Sequence, residues 1–126
     1  WKDKTGYETL EFLSSIRNTI NKSHINDALK RVGLYDVKDM LVKKYSLGMK
    51  QKLAIAQAIM EDPAILLFDE PTNSLDDEGV DIFKKIVKEE REKGKIVIIV
   101  SHNIEDVVDI CDKTLFLKNQ CLNEVD

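Results

Sequence analysis

Cysteine is nearly absent: Cys111 and Cys121 are the only two among 126 residues. Neither stands in a Cys-x-x-Cys pair or a His/Cys cluster, which excludes the usual zinc sites and leaves two reduced thiols, as in a cytosolic protein. No apolar run nears the roughly 20 residues of a membrane span. Ile96 to Val100, for example, is strand-sized. No signal peptide is read at the N-terminus. Positive charge is not in excess, with 19 Lys plus Arg against 23 Asp plus Glu and a net charge of -4. Phosphate neutralisation needs clustered cations, so no nucleic-acid partner is expected. Internal repeats and low-complexity segments are missing as well. The chain opens at Trp1 rather than Met and enters amphipathic sequence at once, as a fragment would.

What is present has an ordinary globular balance, 43% hydrophobic and 33% charged. Thr5 and Glu8 have capping-box spacing, and Leu10, Phe12, Leu13, Ile16 and Ile20 then recur at helical intervals. A second helix is expected from about Ser23 to Gly33, and a short one, capped by Asp36, between Tyr35 and Lys44. Leu53 to Met60 is apolar on nearly every side, which predicts a helix flanked by partners, closed by Pro63. Ala64 to Phe68 and Lys95 to Val100 read as strands buried on both faces of a parallel sheet. The helix between them starts at Asp76, Asp77 and Glu78, carries Val80, Phe83 and Val87 inward, and ends at Gly94. A further helix is expected over Ile104, Val107, Val108 and Cys111. A strand from Thr114 to Lys118 then turns at Asn119-Gln120 into Cys121-Leu122. Helices followed by strand–helix–strand–helix–strand indicate an α/β sheet with an adjoining helical portion.

The chemistry gathers at the end of the first strand, Ile65-Leu66-Leu67-Phe68-Asp69-Glu70. Ligands of open α/β sheets bind at the carboxyl ends of strands. Asp69 suits Mg²⁺ held through water, because that hard ion takes oxygen ligands and keeps part of its hydration shell. Glu70, projecting the other way on a strand, suits the orientation and deprotonation of an attacking water. Ser46 and Gly48 head the apolar helix. A hydroxyl, a glycine that allows close backbone approach and a helix N-terminus together make an anion site.

Asp69 and Glu70 after the apolar strand resemble a Walker B motif with its catalytic glutamate. Pro71-Thr72-Asn73-Ser74-Leu75-Asp76 resembles the D-loop of ATP-binding-cassette (ABC) ATPases, which links the two nucleotide sites of a dimer. Tyr45-Ser46-Leu47-Gly48-Met49-Lys50-Gln51 resembles the ABC signature motif Leu-Ser-Gly-Gly-Gln, with Leu47 and Met49 departing from it. The variant is similar to exporter ATPases of the peptide-antibiotic resistance type. His102, after the second strand, resembles the switch histidine of the family, and Gly6 to Phe12 the segment that follows its Q-loop.

The resemblance implies a partial P-loop NTPase fold of ABC type. Residues 1–62 would form part of a helical subdomain carrying the signature motif, and residues 63–126 the C-terminal part of the ATPase core. It implies Glu70 and His102 as catalytic residues, Asp69 at Mg²⁺, and Ser46, Gly48, Asn73, Ser74 and Asp76 at ATP. It implies a second ATPase subunit, identical or different, and a transmembrane permease, hence a cytoplasmic place at the inner face of the membrane. A Gly-x-x-x-x-Gly-Lys-Ser/Thr P-loop is missing: Gly94-Lys95 is followed by Ile96, and position 89 is Glu. The missing P-loop strand would flank Lys95 to Val100, so that edge is expected to be unpaired, covered by another chain or a site of aggregation. The chain by itself is therefore expected to be inactive. Two alternatives remain open: a soluble ABC ATPase acting on ribosomes or DNA, and a non-catalytic binding fragment.

Overall fold

Thr5 opens the first helix with a reciprocal cap. Its backbone N–H donates to Glu8 Oε2 at 2.8 Å, and Glu8 N–H donates to Thr5 Oγ1 at 3.1 Å. The computed structural model describes residues 2–18 and 21–124, so Ile20 lies outside the described residues. Helix α1 spans Gly6–Arg17 and α2 spans Lys22–Arg31. Of the expected apolar stripe on α1, Leu10 is buried, whereas Phe12 and Ile16 lie on the opposite side and are exposed. Helix α2 is capped by Asn21, whose side chain accepts from Ser23 and His24 N–H. Its end is closed by Gly33 at φ 75°, and Leu34 N–H reaches back to the Leu29 carbonyl at 2.9 Å.

Two 3₁₀ turns, Tyr35–Val37 and Val42–Lys44, replace the short helix expected there. Asp36 lies inside the first turn and caps nothing. The segment instead folds back on the start of α1, where Tyr7 N–H donates to the Lys38 carbonyl at 2.9 Å and Val42 N–H to that of Lys4 at 2.9 Å. Those bonds satisfy the backbone without a helix. Helix α3, Leu47–Met60, is the apolar helix; Leu53, Ile55, Ala56, Ile59 and Met60 are buried, while Ala54 and Gln57 are exposed.

Strands β1, Ile65–Asp69, and β2, Ile96–Val100, pair in parallel, in register from Ile65↔Ile96 to Asp69↔Val100. Helix α4, Asp77–Glu92, connects them. The parallel pairing and its helical connection are as the sequence predicts. Burial on both faces is not. Leu66 and Phe68 point into the core, but Ile65, Leu67, Ile96, Ile98 and Val100 are exposed. Helices α3 and α4 cover one face of the sheet, and no described element covers the other. The two-stranded sheet also has no third strand among the described residues. A contiguous apolar face of this kind is expected to bind apolar probes. Leu67→Lys with Ile98→Lys should sharply lower the fluorescence of a hydrophobic dye and leave the helical circular dichroism unchanged. Undiminished dye binding would place the exposed surface elsewhere.

The helix expected after Ser101 is two 3₁₀ turns, Ile104–Asp106 and Val108–Ile110. Val107, at φ -129° and ψ -14°, breaks the run between them. β-Branched and Asp residues dominate the segment and are poor helix formers, and no side chain caps either turn. Strands β3, Leu115–Lys118, and β4, Cys121–Glu124, make a separate antiparallel hairpin. Its two-residue turn holds Asn119 and Gln120 at φ 51° and 62°, the left-handed values a tight hairpin turn requires.

One buried group was not foreseen. Glu90 falls on the inner stripe of α4, and its side chain is 0% exposed. Its Oε1 meets Arg31 of α2 at 2.7 Å and Lys93 at 3.1 Å, and its Oε2 pairs with Lys95 at the head of β2. Burial pushes its pKa up, but the hydrogen bonds from Lys95, Arg31 and Lys93 outweigh this and hold it at about 2. This carboxylate therefore adds stability above the ordinary Glu range, and that stability fades as pH falls from there towards about 2.

Candidate functional site

Register builds the first half of the site. Because Asp69 pairs with Val100, the chain leaves β1 and β2 at the same level, which sets Glu70 beside His102. Glu70 N–H donates to the Val100 carbonyl at 2.7 Å. Its carboxylate accepts the His102 backbone N–H, at 3.0 Å to Oε1 and 3.2 Å to Oε2, and pairs with His102 Nδ1. The His102 side-chain bond, aided by that N–H and opposed by partial desolvation, holds the Glu70 carboxyl below the usual Glu range. The carboxylate is 21% exposed and the imidazole 93% exposed, so the pair opens to solvent.

Strand alternation does not set the direction of Glu70. The strand ends at Asp69, and Glu70 sits at φ 49°, in the left-handed region. That backbone, with the His102 contacts, is what separates the two carboxylates. Asp69 is exposed on the uncovered face shared with Ile65 and Leu67. Among the described residues no group of three or more His, Cys, Asp or Glu is placed to hold a metal. One carboxylate fits Mg²⁺ that keeps its waters and takes phosphate oxygens, and does not fit an all-protein cage.

The second half lies at the start of α3. Ser46 is its N-cap, with Oγ accepting Met49 N–H at 3.1 Å and its own hydroxyl proton still available to donate. Gly48 is there for space: a Cβ would fall 2.8 Å from the Ser74 carbonyl oxygen. Leu47, which departs from the signature pattern, is 72% exposed and stands clear of that contact. Gln51 Nε2 donates to the Pro71 carbonyl at 3.1 Å, binding the helix start to the 70–76 loop a second time. Asn73 and Ser74 are exposed, with Ser74 at φ 67°. The Asp76 carboxylate accepts Gly79 N–H at 2.8 Å and caps α4.

The structure thus brings Glu70 to His102 and Gly48 to Ser74, with the 70–76 loop joining the two clusters. No hydrogen bond links Ser46 or Gly48 directly to Glu70 or His102 among the described residues. Thr72 was missed by sequence reasoning. It is buried, and its hydroxyl has no partner among the described residues. Nothing in Pro-Thr-Asn-Ser marks that position as interior, because a turn residue is ordinarily exposed.

Among known proteins, the family model described as ABC transporter matches residues 2–73, more than half of the chain. The ABC transporter ATP-binding protein YybJ of Bacillus subtilis (strain 168) is 45% identical over 109 residues, covering 86% of this chain and 50% of YybJ. The bacitracin transport ATP-binding protein BcrA of Enterococcus faecalis is 40% identical over 113 residues, 89% of this chain and 37% of BcrA. The chain therefore spans half or less of these relatives. The solved structure of cbiO1 from Clostridium perfringens, part of the ABC transporter complex cbiONQ, superposes with a TM-score of 0.79 and 29% identity, covering 96% of this chain and 50% of that one. The chain belongs to the ABC transporter family and aligns with its ATP-binding proteins.

Proposed function

We propose that this chain is the signature-bearing helical part, residues 1–62, and the C-terminal catalytic part, residues 63–126, of an ATP-hydrolysing subunit that drives export through a membrane permease. The observation that carries this reading is the Glu70 carboxylate, held by both the backbone N–H and the ring of His102 beside the strand end at Asp69. Glu70 is ionised at neutral pH and orients and deprotonates the attacking water. His102 fixes the direction of that carboxylate. Asp69 holds Mg²⁺ through water, and the ion when bound neutralises charge on the phosphate oxygens. Ser46, Gly48, Asn73, Ser74 and Asp76 face the nucleotide of a second ATPase subunit, in keeping with the lack of any hydrogen bond from Ser46 or Gly48 to Glu70 among the described residues. No described helix is long and apolar enough to cross a membrane, so in this reading a permease supplies the membrane path and the subunit sits at its cytoplasmic face. The bacitracin transport relative favours a transport role.

The chain alone has no P-loop and should show no calorimetric binding of Mg-ATP at micromolar concentrations and no turnover. Joined to the P-loop half of a relative such as YybJ, it should hydrolyse ATP. Micromolar affinity of the chain alone, or a joined protein that binds ATP but never turns it over, would overturn the reading.

A further inference from the structure

The Glu90 cluster joins elements that have little else polar in common. Arg31 comes from α2, Lys95 from the head of β2, and Lys93 from the end of α4. Two of these cations reach further. Arg31 also bonds Glu89 Oε2 at 2.9 Å, and Lys95 also pairs with Asp62 in the α3–β1 connection. Asp62 sits at φ 52°, in the left-handed region. His24 and Asp27 of α2 and Glu92 of α4 line the same cleft, over an apolar floor that includes Ile59 and Met60. Arg31 is the one cation of this cluster that comes from the helical part of the chain.

We infer that Glu90 and Arg31 form a positioning joint that sets how the helical part sits on the α4–β2 layer, and through it the approach of Gly48 to Ser74. The route is short: α2 packs on α3, and α3 carries Ser46 and Gly48 at its start. Net stability is a weak reason for such a group, because well-packed apolar side chains often replace a buried ion pair at no cost. A directional link is a stronger one. Arg31 Nη2 meets both carboxylates, Glu90 Oε1 at 2.7 Å and Glu89 Oε2 at 2.9 Å, a directional contact that an apolar side chain does not reproduce. The cluster is also asymmetric. Without Arg31, Glu90 keeps Lys93 and Lys95, so no unpaired charge is left in the α4–β2 layer, and only the tie to α2 is lost.

Amide hydrogen exchange on the whole chain tests this. Arg31→Met should speed exchange of α2 and of residues 47–51 on the order of tenfold, with β1 and β2 changed by no more than about twofold. Glu89→Gln, which leaves the Arg31–Glu90 contact in place, should alter neither region by more than about twofold. Should Arg31→Met fail to fold, Arg31→Gln is read the same way, since it removes the charge that ties α2 to Glu90 while keeping a polar side chain. Equal acceleration in both regions would mark an ordinary stabilising ion pair and overturn the inference, as would no acceleration at all. The measured quantity is placement, not turnover, so failure here leaves the catalytic reading untouched.

Discussion

Glu70→Gln in the complete ATPase subunit should lower steady-state turnover by roughly two to four orders of magnitude while nucleotide still binds. The amide keeps the size of the side chain and can still engage His102, but it cannot take a proton. Geometry supports the choice of this residue over its neighbour. Glu70 leaves the strand at φ 49° and is clamped by the His102 backbone and ring, whereas Asp69 projects from the uncovered sheet face. Asp69→Asn should therefore act differently, raising the Mg²⁺ concentration needed for activity. The pH profile separates the roles further. His102 depresses the Glu70 pKa, so the acid limb of activity should lie below the ordinary Glu range, and His102→Ala should move it to higher pH. Near-wild-type turnover by Glu70→Gln would leave Glu70 as a structural turn residue.

Phe83→Ala should cost about 3–5 kcal/mol, a large share of the 5–15 kcal/mol by which domains are typically stable. Phe83 is 0% exposed and meets Phe68 edge-to-face, with ring centroids 5.2 Å apart and an interplanar angle of 90°. Such aromatic pairs add about 0.5–1.5 kcal/mol beyond simple burial. Phe68 immediately precedes Asp69, so the cavity would open directly beneath the strand end that carries the site. Urea unfolding should show a lower midpoint with an unchanged slope. Ile98→Ala, on the exposed face at 49% exposure, should cost about 1 kcal/mol or less. A Phe83→Ala midpoint no lower than that of Ile98→Ala would show that the α4–β1 contact is not central to the core.

Much of this was legible in the residues themselves. Thr5 and Glu8 announced their capping box, Gly33 its left-handed position, Asp76 its helix start and Asn119-Gln120 its hairpin, because each depends on contacts within a few residues. The order of apolar runs fixed the parallel pairing of β1 and β2, and the spaced motifs pointed to the family without any structure. What the sequence could not decide depended on partners distant in the chain. The continuous apolar runs Ile65–Phe68 and Ile96–Val100 suggested cover on both faces, and here α3 and α4 cover only one. The direction of Glu70 comes from a backbone reversal and from His102, 32 residues away, rather than from strand alternation. Periodicity after Ser101 suggested a helix, yet β-branched residues and Val107 divided it into turns. Nothing in the sequence marked Glu90 as interior. Tertiary packing brought Arg31 to it, beside the sequence-local Lys93 and Lys95, because a carboxylate remains ionised in an interior only where cations converge on it.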